Sequence, residues 1–202
     1  MIVIESLKKG IENNERNIDI ARKIFLSYQS HAFKNSQDIE YEIKNSIKNH
    51  LKVPFLSVQV TGSAKTGFSF FKHTLFTQGK SDLDISIISL ELYNRFLEIA
   101  HEQTKAFTDL SVFPIYRGQT TDKQFIKNLK KGFINPFFMP DSKEKTEWLD
   151  FFRHLSNEHY LMFKKINGGI YSSEYFFECK QAECIELFQE DTEQYDSLPS
   201  KI

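Results

Sequence analysis

The sequence contains few of the residues that build disulfide scaffolds or interrupt regular structure. Its 202 residues include two cysteines, five prolines and eight glycines, so neither a disulfide-stapled fold nor a low-complexity linker is expected. Cys179 and Cys184 are five positions apart in a segment with a helical pattern, which puts them on different helix faces. An internal disulfide is therefore not expected. Two reduced thiols predict a cytoplasmic protein.

Long apolar runs and an excess of one charge sign are also missing. No stretch approaches the roughly 20 consecutive apolar residues of a transmembrane helix, and the opening segment MIVIESLKKG is not typical of a signal peptide. We therefore expect a soluble, intracellular protein without a membrane partner. The formal net charge is −1, so any site for nucleic acid or another polyanion must be local.

Hydrophobic residues are plentiful enough to build a core. They make up 40% of the chain and include 20 phenylalanines. A chain of this length suits one domain, or a small core with helical extensions. We predict one domain over residues 1–190 with helical N- and C-terminal extensions, followed by a flexible acidic tail at 191–202.

Hydrophobic periodicity predicts an α+β fold, in which a small mixed β-sheet is flanked by several α-helices. The continuous or alternating apolar segments predict strands at 55–61, 83–88 and 165–172. Residues 110–116 are read as a strand or an extended segment. Apolar residues at helical spacing predict helices at 12–30, 36–51, 91–107, 122–131, 142–163 and 174–189. Between Gly67 and Ser81 the first residues are read as a continuation of a short helix.

Two aspartates in the central strand are the clearest candidates for chemistry. Asp82 and Asp84 are two positions apart, so their carboxylates point to one face while Leu83 and Ile85 point to the other. Neighbouring carboxylates raise each other's pKa unless a cation lies between them. An oxygen-rich pair of this kind suits Mg²⁺, which binds one or two carboxylates together with substrate phosphates.

The loop before this strand supplies candidate phosphate contacts. Gly62 allows a sharp turn after the preceding strand, and Ser63 is expected to cap the short helix that follows. Free N–H groups at a helix start attract anions. The Ser63 hydroxyl and the Lys65 ammonium are the candidate side chains for a triphosphate, although a lysine beside a turn is more often only solvated.

These two segments resemble the signature of the DNA polymerase beta-like nucleotidyltransferases. The chain has VTGS at 60–63 and SDLDI at 81–85, and the form Gly-Ser-x-x-x-Gly-Phe-Ser is most similar to the oligoadenylate-synthetase and bacterial cyclic-oligonucleotide-synthetase branch. The likeness covers residues 53–107. It implies a nucleotidyltransferase core, Mg²⁺ or Mn²⁺ as cofactor and a nucleoside triphosphate as substrate. The alternative is an ordinary hairpin with acidic residues at its rim.

The resemblance also implies a third carboxylate on a later strand, which would orient or deprotonate the attacking hydroxyl in two-metal transfer. No later strand shows the pattern cleanly. Asp109, at the start of the possible strand 110–116, is the best-placed candidate for the third catalytic acid. Glu174 is the second candidate, although its place at a helix start also fits a contact with the helix dipole.

Two functions in different classes follow from these residues. The first is a Mg²⁺-dependent nucleotidyltransferase that moves a nucleoside monophosphate from a triphosphate onto a hydroxyl of a nucleotide, an RNA end, a protein or a small molecule. Small bacterial members of the resembling superfamily often act in defence or toxin–antitoxin systems. The second is a catalytically inactive module of the same fold that binds a nucleotide or a partner protein. The sequence does not predict the oligomeric state.

Overall fold

The computed structural model describes residues 2–194, with side chains from residue 3 to residue 189. Within that part of the chain there are eight α-helices, several of which begin and end near the predicted positions. They are α1 (Ile2–Glu12), α2 (Asn17–Arg22), α3 (Gln37–Leu51), α4 (Gly62–Thr66), α5 (Leu90–Gln103), α6 (Asp122–Leu129), α7 (Lys143–Glu158) and α8 (Glu174–Gln194).

Eight short strands in the same described range confirm the predicted α+β class. They are β1 (Val58–Thr61), β2 (Phe68–Ser69), β3 (Thr74–Leu75), β4 (Leu83–Ile88), β5 (Ile115–Tyr116), β6 (Gln119–Thr120), β7 (Phe133–Ile134) and β8 (Ile166–Tyr171). Four of them form a mixed sheet in the order β1-β4-β8-β7, and the other four form two small hairpins.

The four-stranded sheet has β4 at its centre. Strand β1 pairs with β4 in antiparallel orientation, β8 pairs with β4 in parallel orientation, and β7 closes the far edge against β8. Parallel neighbours require a long crossover, and the chain between β4 and β8 includes helices α5, α6 and α7. The predicted mixed sheet is therefore confirmed.

One face of the sheet, here called the lower face, is entirely apolar. Leu83, Ile85 and Ile87 of β4 point to this face and are buried with side chains of α3, α5 and α7. Gly168 of β8 also lies here, because a Cβ at that position would come within 2.3 Å of the Phe152 ring. The larger of the two hydrophobic clusters holds this side of the sheet.

The opposite, upper face carries the polar residues of the central strand. Asp84, Ser86 and Ile88 point to it, and the register places Asn167 and Tyr171 of β8 beside the first and last of these. Helices α1, α2 and α8 and the hairpin β2-β3 cover this face with a second hydrophobic cluster. The end of the upper face that carries Asp84 is left open to solvent.

The N-terminal helical region differs from the prediction of one helix over 12–30. It consists of α1, a turn, α2 and a π-helical segment, Lys23–Ser27. The interruption lies at Asn14, whose φ of 54° is left-handed, a conformation that asparagine tolerates better than most residues. The three segments still bury the predicted apolar side chains Ile24 and Phe25.

The segment after Gly67 is a hairpin and not the continuation of a helix. Gly67 has φ of 85° and ends α4. Phe68 lies in β2, and Phe70 and Phe71 lie in the turn that leads to β3. Phe68 and Phe70 are buried, whereas Phe71 is 83% exposed. Because α4 ends at Gly67, the phenylalanine-rich stretch after it forms the hairpin β2-β3 and not a longer helix.

Three further details complete the comparison with the predicted elements. Of the possible strand 110–116 only Ile115–Tyr116 is extended, and it pairs with Gln119–Thr120. Helix α8 continues to Gln194, four residues into the predicted tail, and 195–202 lie outside the described residues. Both cysteines are free. In the described chain no helix is both long and apolar enough to cross a membrane.

Candidate functional site

A groove of about 400 Å³ lies at the open end of the upper face, between the loop at α4, the hairpin β2-β3 and α8. We call it the central groove. Four of the predicted site residues line it, and they are Gly62, Ser63, Asp82 and Asp84. The tertiary structure thus brings the loop and the aspartate pair together in one concave surface.

The two aspartates reach the central groove from the start of β4. Asp84 is the second residue of the strand and its side chain is exposed, whereas Leu83 on the other face is fully buried. Asp82 immediately precedes the strand and is partly exposed. The period of two in an extended chain explains why both carboxylates lie on the groove side.

The Asp84 carboxylate keeps solvent access but lies at the base of the groove, with protein atoms around it. This desolvation raises the pKa of Asp84 above its ordinary value, and the nearby Asp82 carboxylate raises it further. The hydrogen bond from Asn167 acts in the opposite direction. A cation bound between the carboxylates would reverse the rise, because an opposite charge favours the ionised form.

Gly62 allows the loop to approach Asp84 more closely than any other residue could. Its φ is 63°, and a Cβ built at this position would lie 2.7 Å from Oδ2 of Asp84. A side chain here would therefore both strain the backbone and displace the carboxylate. The sequence predicts that this turn needs glycine, and the structure gives a steric reason, since a Cβ here would collide with the Asp84 carboxylate.

Ser63 lines the central groove but does not cap a helix. The N-cap of α4 is Thr61, whose side chain makes no capping bond. Instead, the Thr61 hydroxyl donates to the Asp84 backbone oxygen at 3.2 Å and lies 3.2 Å from the Ser86 hydroxyl. Because α4 has only five residues, its dipole is too short to serve as the expected anion site.

Lys65 does not reach the groove, contrary to the expectation that it contacts phosphate. Its side chain is buried, with the residue 5% exposed, and Nζ donates to the Tyr28 backbone oxygen. Burial lowers the pKa of Lys65 to about 8. In an α4 of a single turn this side chain points away from Ser63 and into the protein, where it ties the loop to the segment after α2.

Other lysines line the groove in its place. From the sequence, Lys164 is interpreted as part of a solvated surface, and nothing singles out Lys72 or Lys80. Lys72 of the β2-β3 hairpin, Lys80 beside the turn at Gly79, and Lys164 before β8 all line the central groove. Their positions in three separate loops offer no shared sequence pattern. They are the cations that could meet a polyanion beside the aspartate pair.

The side chain next to Asp84 on the neighbouring strand is an amide. Asn167 of β8 is the register partner of Asp84, and its Nδ2 donates a long hydrogen bond of 3.4 Å to Oδ1 of Asp84. Register partners share a face of the sheet. On β8 the side chain beside Asp84 is therefore a neutral amide and not a carboxylate.

The two predicted third acids lie elsewhere. Asp109 is on the surface after α5, where hydrogen bonds from Ser111 and Lys105 hold the pKa of its carboxyl below the ordinary value. Glu174 is the exposed first residue of α8. Neither lines the central groove. Among the residues that the structure describes, no three histidine, cysteine or acidic side chains form a group that could hold a metal.

A divalent cation with a bound triphosphate nevertheless suits the donor set of the groove. The Asp82 and Asp84 carboxylates are hard oxygen ligands, and Mg²⁺ commonly takes its remaining ligands from phosphate and water. The Ser63 hydroxyl lines the same surface. A metal held in this way would depend on the nucleotide for part of its coordination.

A second groove of about 700 Å³ also has Asp84 in its lining. It shares Asp84 and Lys164 with the central groove, and it is lined in addition by Arg153 and by exposed aromatic rings. The Tyr116 and Phe137 ring centroids are 5.1 Å apart in an edge-to-face contact. The carboxylate of Asp84 therefore lies at the junction of two concave surfaces.

Comparisons with protein-family models, with curated proteins and with solved structures find no match for this chain. The resemblance to the nucleotidyltransferase superfamily therefore remains a prediction from residues 53–107.

We predict that Gly62→Ala weakens nucleotide binding, and that backbone strain alone does not account for this loss. The new methyl group would contact Oδ2 of Asp84, so we expect a loss of about 1–3 kcal/mol in stability and at least about a tenfold loss of Mg²⁺-dependent nucleotide affinity. Urea unfolding and calorimetric titration measure the two effects.

Gly118→Ala is the matched control for this prediction. Gly118 has φ of 77°, but nothing lies within 4 Å of a Cβ built there. It therefore carries the same kind of backbone strain without crowding, and its nucleotide affinity should equal that of the wild type. Equal effects of the two substitutions on affinity would contradict a role for the close approach to Asp84.

We also predict that Lys65 acts on stability and not on ligand binding. Its pKa of about 8 in the folded state is below the ordinary 10.5, so between these values the unfolded chain binds more protons and stability rises with pH. Relative to Lys65→Met, the wild type should gain on the order of 1–3 kcal/mol as pH rises from 8 to 10.

Urea unfolding of both proteins between pH 7 and pH 10 measures this difference, in which the titration of other groups cancels. Nucleotide affinity at pH 7 should be the same for both. A pH-independent stability difference together with weaker nucleotide binding by Lys65→Met would show that the ammonium acts in the groove.

Proposed function

We propose that this chain binds a nucleoside triphosphate together with Mg²⁺ or Mn²⁺ in the central groove. The observation that carries the proposal is the joint placement of Asp82, Asp84 and Ser63 with lysines 72, 80 and 164 on one concave surface. Carboxylates alone would repel a triphosphate, and lysines alone would not recruit a metal. A metal–triphosphate complex satisfies both sets of charges at once.

Each group has a distinct part in this binding. Asp82 and Asp84 supply oxygen ligands to the cation, and the cation offsets the desolvation that raises the pKa of Asp84. The lysines neutralise the phosphate oxygens that do not contact the metal. Ser63 lines the same groove as the aspartates, where its hydroxyl would donate to a phosphate.

We further propose that binding is not followed by nucleotidyl transfer, so that this chain is a nucleotidyltransferase-like binding module. Asn167 stands beside Asp84 where a third acid would hold a second metal or accept a proton. A neutral amide can ligate a metal through its oxygen, but it cannot act as a general base. Asp109 is held by Lys105 and Ser111 on the surface, outside both grooves.

Nucleotidyl transfer onto a hydroxyl is the second candidate function, and the second groove favours it. That groove meets the first at Asp84 and Lys164, so a protein, RNA or nucleotide acceptor in it would approach the bound phosphate. A role in bacterial defence or a toxin–antitoxin system follows from the resemblance. Either function is consistent with a cytoplasmic location, where nucleoside triphosphates and Mg²⁺ are abundant.

The aspartate pair provides the direct test of binding. Asp82→Asn with Asp84→Asn should keep a cooperative thermal unfolding transition at or above the wild-type temperature, because it removes two neighbouring like charges. It should lower Mg²⁺-dependent affinity for nucleoside triphosphate by about a hundredfold or more, because the metal loses both carboxylates. Isothermal titration with and without Mg²⁺ measures this change.

The matched control replaces two surface aspartates, Asp109→Asn with Asp150→Asn, and so removes the same charge away from the central groove. Its affinity should equal that of the wild type. Mg²⁺-dependent binding that persists undiminished in the Asp82 and Asp84 double variant would refute the proposal.

Asn167→Asp tests whether the amide is what separates binding from transfer. A carboxylate beside Asp84 adds a like charge, so the variant should melt at a lower temperature than the wild type without Mg²⁺ and recover when Mg²⁺ is added. Its divalent-cation affinity should rise by about tenfold, and pyrophosphate release from nucleoside triphosphates should increase.

Asn94→Asp, on the exposed side of α5, is the control and should show none of these changes. Melting curves over a Mg²⁺ series and a pyrophosphate assay are the measurements. The opposite outcome is that the wild type releases pyrophosphate in a metal-dependent reaction whose rate Asn167→Asp does not raise. That result would favour nucleotidyl transfer over the binding module.

A further inference from the structure

Gln181 of α8 is a buried polar side chain that lines the central groove. The residue is 6% exposed, and it lies on the helix face that also carries Phe177 and Phe188, one turn and two turns away from it. Among the described residues no hydrogen-bond partner of its amide is found. A side-chain amide has two donor hydrogens and an acceptor oxygen, all of which are available to the groove.

Aromatic rings line the same groove as Gln181, and they offer its amide no conventional hydrogen bond. Phe25, Phe68 and Phe70 line the same groove and belong to the hydrophobic cluster on the upper face. The buried side-chain atoms that lack a partner among the described residues are Thr121 Oγ1 and Ser172 Oγ, so the Gln181 amide still meets the solvent of the groove. A ligand that fills this part of the groove would displace that water and would have to replace its hydrogen bonds to the amide.

We propose that Gln181 reads the base of the bound nucleotide, an inference that rests on the proposed function. The aspartates and lysines occupy the charged part of the groove and would hold the triphosphate. The phenylalanines and Gln181 form its apolar part, and a nucleobase is the part of the ligand that is both flat and apolar on its faces. Its edge presents adjacent donors and acceptors, which a single amide contacts in pairs.

This assignment makes Gln181 a specificity-determining residue. The position and direction of its donor and acceptor are set by the helix, so a base whose donor–acceptor pair lies opposite them gains two hydrogen bonds. A base whose pair lies elsewhere on its edge leaves the amide unsatisfied. The triphosphate contacts are the same for every base. Selectivity among nucleotides should therefore depend on Gln181, whereas affinity for the phosphates should not.

The experiment compares ATP, GTP, CTP, UTP and inorganic tripolyphosphate, each with Mg²⁺, by calorimetric titration against the wild type and Gln181→Leu. We expect the wild type to prefer one nucleotide over the others by about tenfold or more and to bind tripolyphosphate more weakly than that nucleotide. In Gln181→Leu the preference should fall below about threefold, with tripolyphosphate affinity unchanged. Gln124→Leu, on the exposed side of α6, is the matched control and should keep the preference.

A second variant keeps the test decisive if Gln181→Leu loses its fold. A carboxylate in Gln181→Glu only accepts hydrogen bonds, and guanine is the base that presents adjacent donors on one edge. The affinity ratio of GTP to ATP should therefore rise by about tenfold relative to the wild type. The added negative charge weakens the binding of both nucleotides alike, so it cancels in this ratio.

The outcomes separate this inference from the proposed function. If neither tripolyphosphate nor any nucleotide binds to the wild type, the proposed function fails and the inference fails with it. If nucleotides bind but the selectivity of Gln181→Leu or the GTP-to-ATP ratio of Gln181→Glu equals that of the wild type, Gln181 does not read the base, and only this inference is overturned.

Discussion

The structure depends on one row of residues across three hydrogen-bonded strands. Thr61, Asp84 and Asn167 are register partners on β1, β4 and β8. The row lies at the groove end of the sheet, next to the terminal pair Leu83 and Ile166. Thr61 holds the Asp84 backbone from one side, and Asn167 contacts the Asp84 side chain from the other. The chain turns directly after Thr61 into the loop at Gly62, so the same pairing that builds the sheet places that loop against the carboxylate.

The two faces of the sheet divide stability from chemistry. On the lower face, unbroken apolar side chains of β1, β4 and β8 join the larger cluster, whose burial is the dominant favourable contribution to folding. On the upper face the same strands carry Thr61, Asp84, Ser86 and Asn167, and only part of that face is covered by the second cluster. The uncovered part is concave because α8 and the β2-β3 hairpin rise on either side of it, and this shape desolvates Asp84 while leaving it accessible.

Charge in the central groove is arranged in two opposing sets. The aspartates come from a strand, whose geometry is rigid, whereas Lys72, Lys80 and Lys164 come from a hairpin, a turn and a loop. Rigid carboxylates suit a metal, which requires fixed ligand positions, and long lysine side chains suit phosphates, which accept hydrogen bonds over a wider range of directions. Asn167 differs from both sets, since it is an uncharged side chain beside Asp84, whose pKa is raised by desolvation.

Local sequence determined the elements whose signals are contained within them. Periodicity predicted α3, β4, α7 and β8 and the shared face of Asp82 and Asp84. Ser89 caps α5 through a hydrogen bond from the Leu92 N–H, which is also a local interaction. Gly62 and Ser63 were also placed correctly at a turn beside the aspartates. Tertiary structure alone decided the remainder, because it depends on residues distant in sequence. The direction of the Lys65 side chain depends on its hydrogen bond to Tyr28. The identity of the side chain beside Asp84 depends on β8, which pairs with β4 only after a long crossover. The groove lysines and Gln181 share no spacing that a single sequence could reveal.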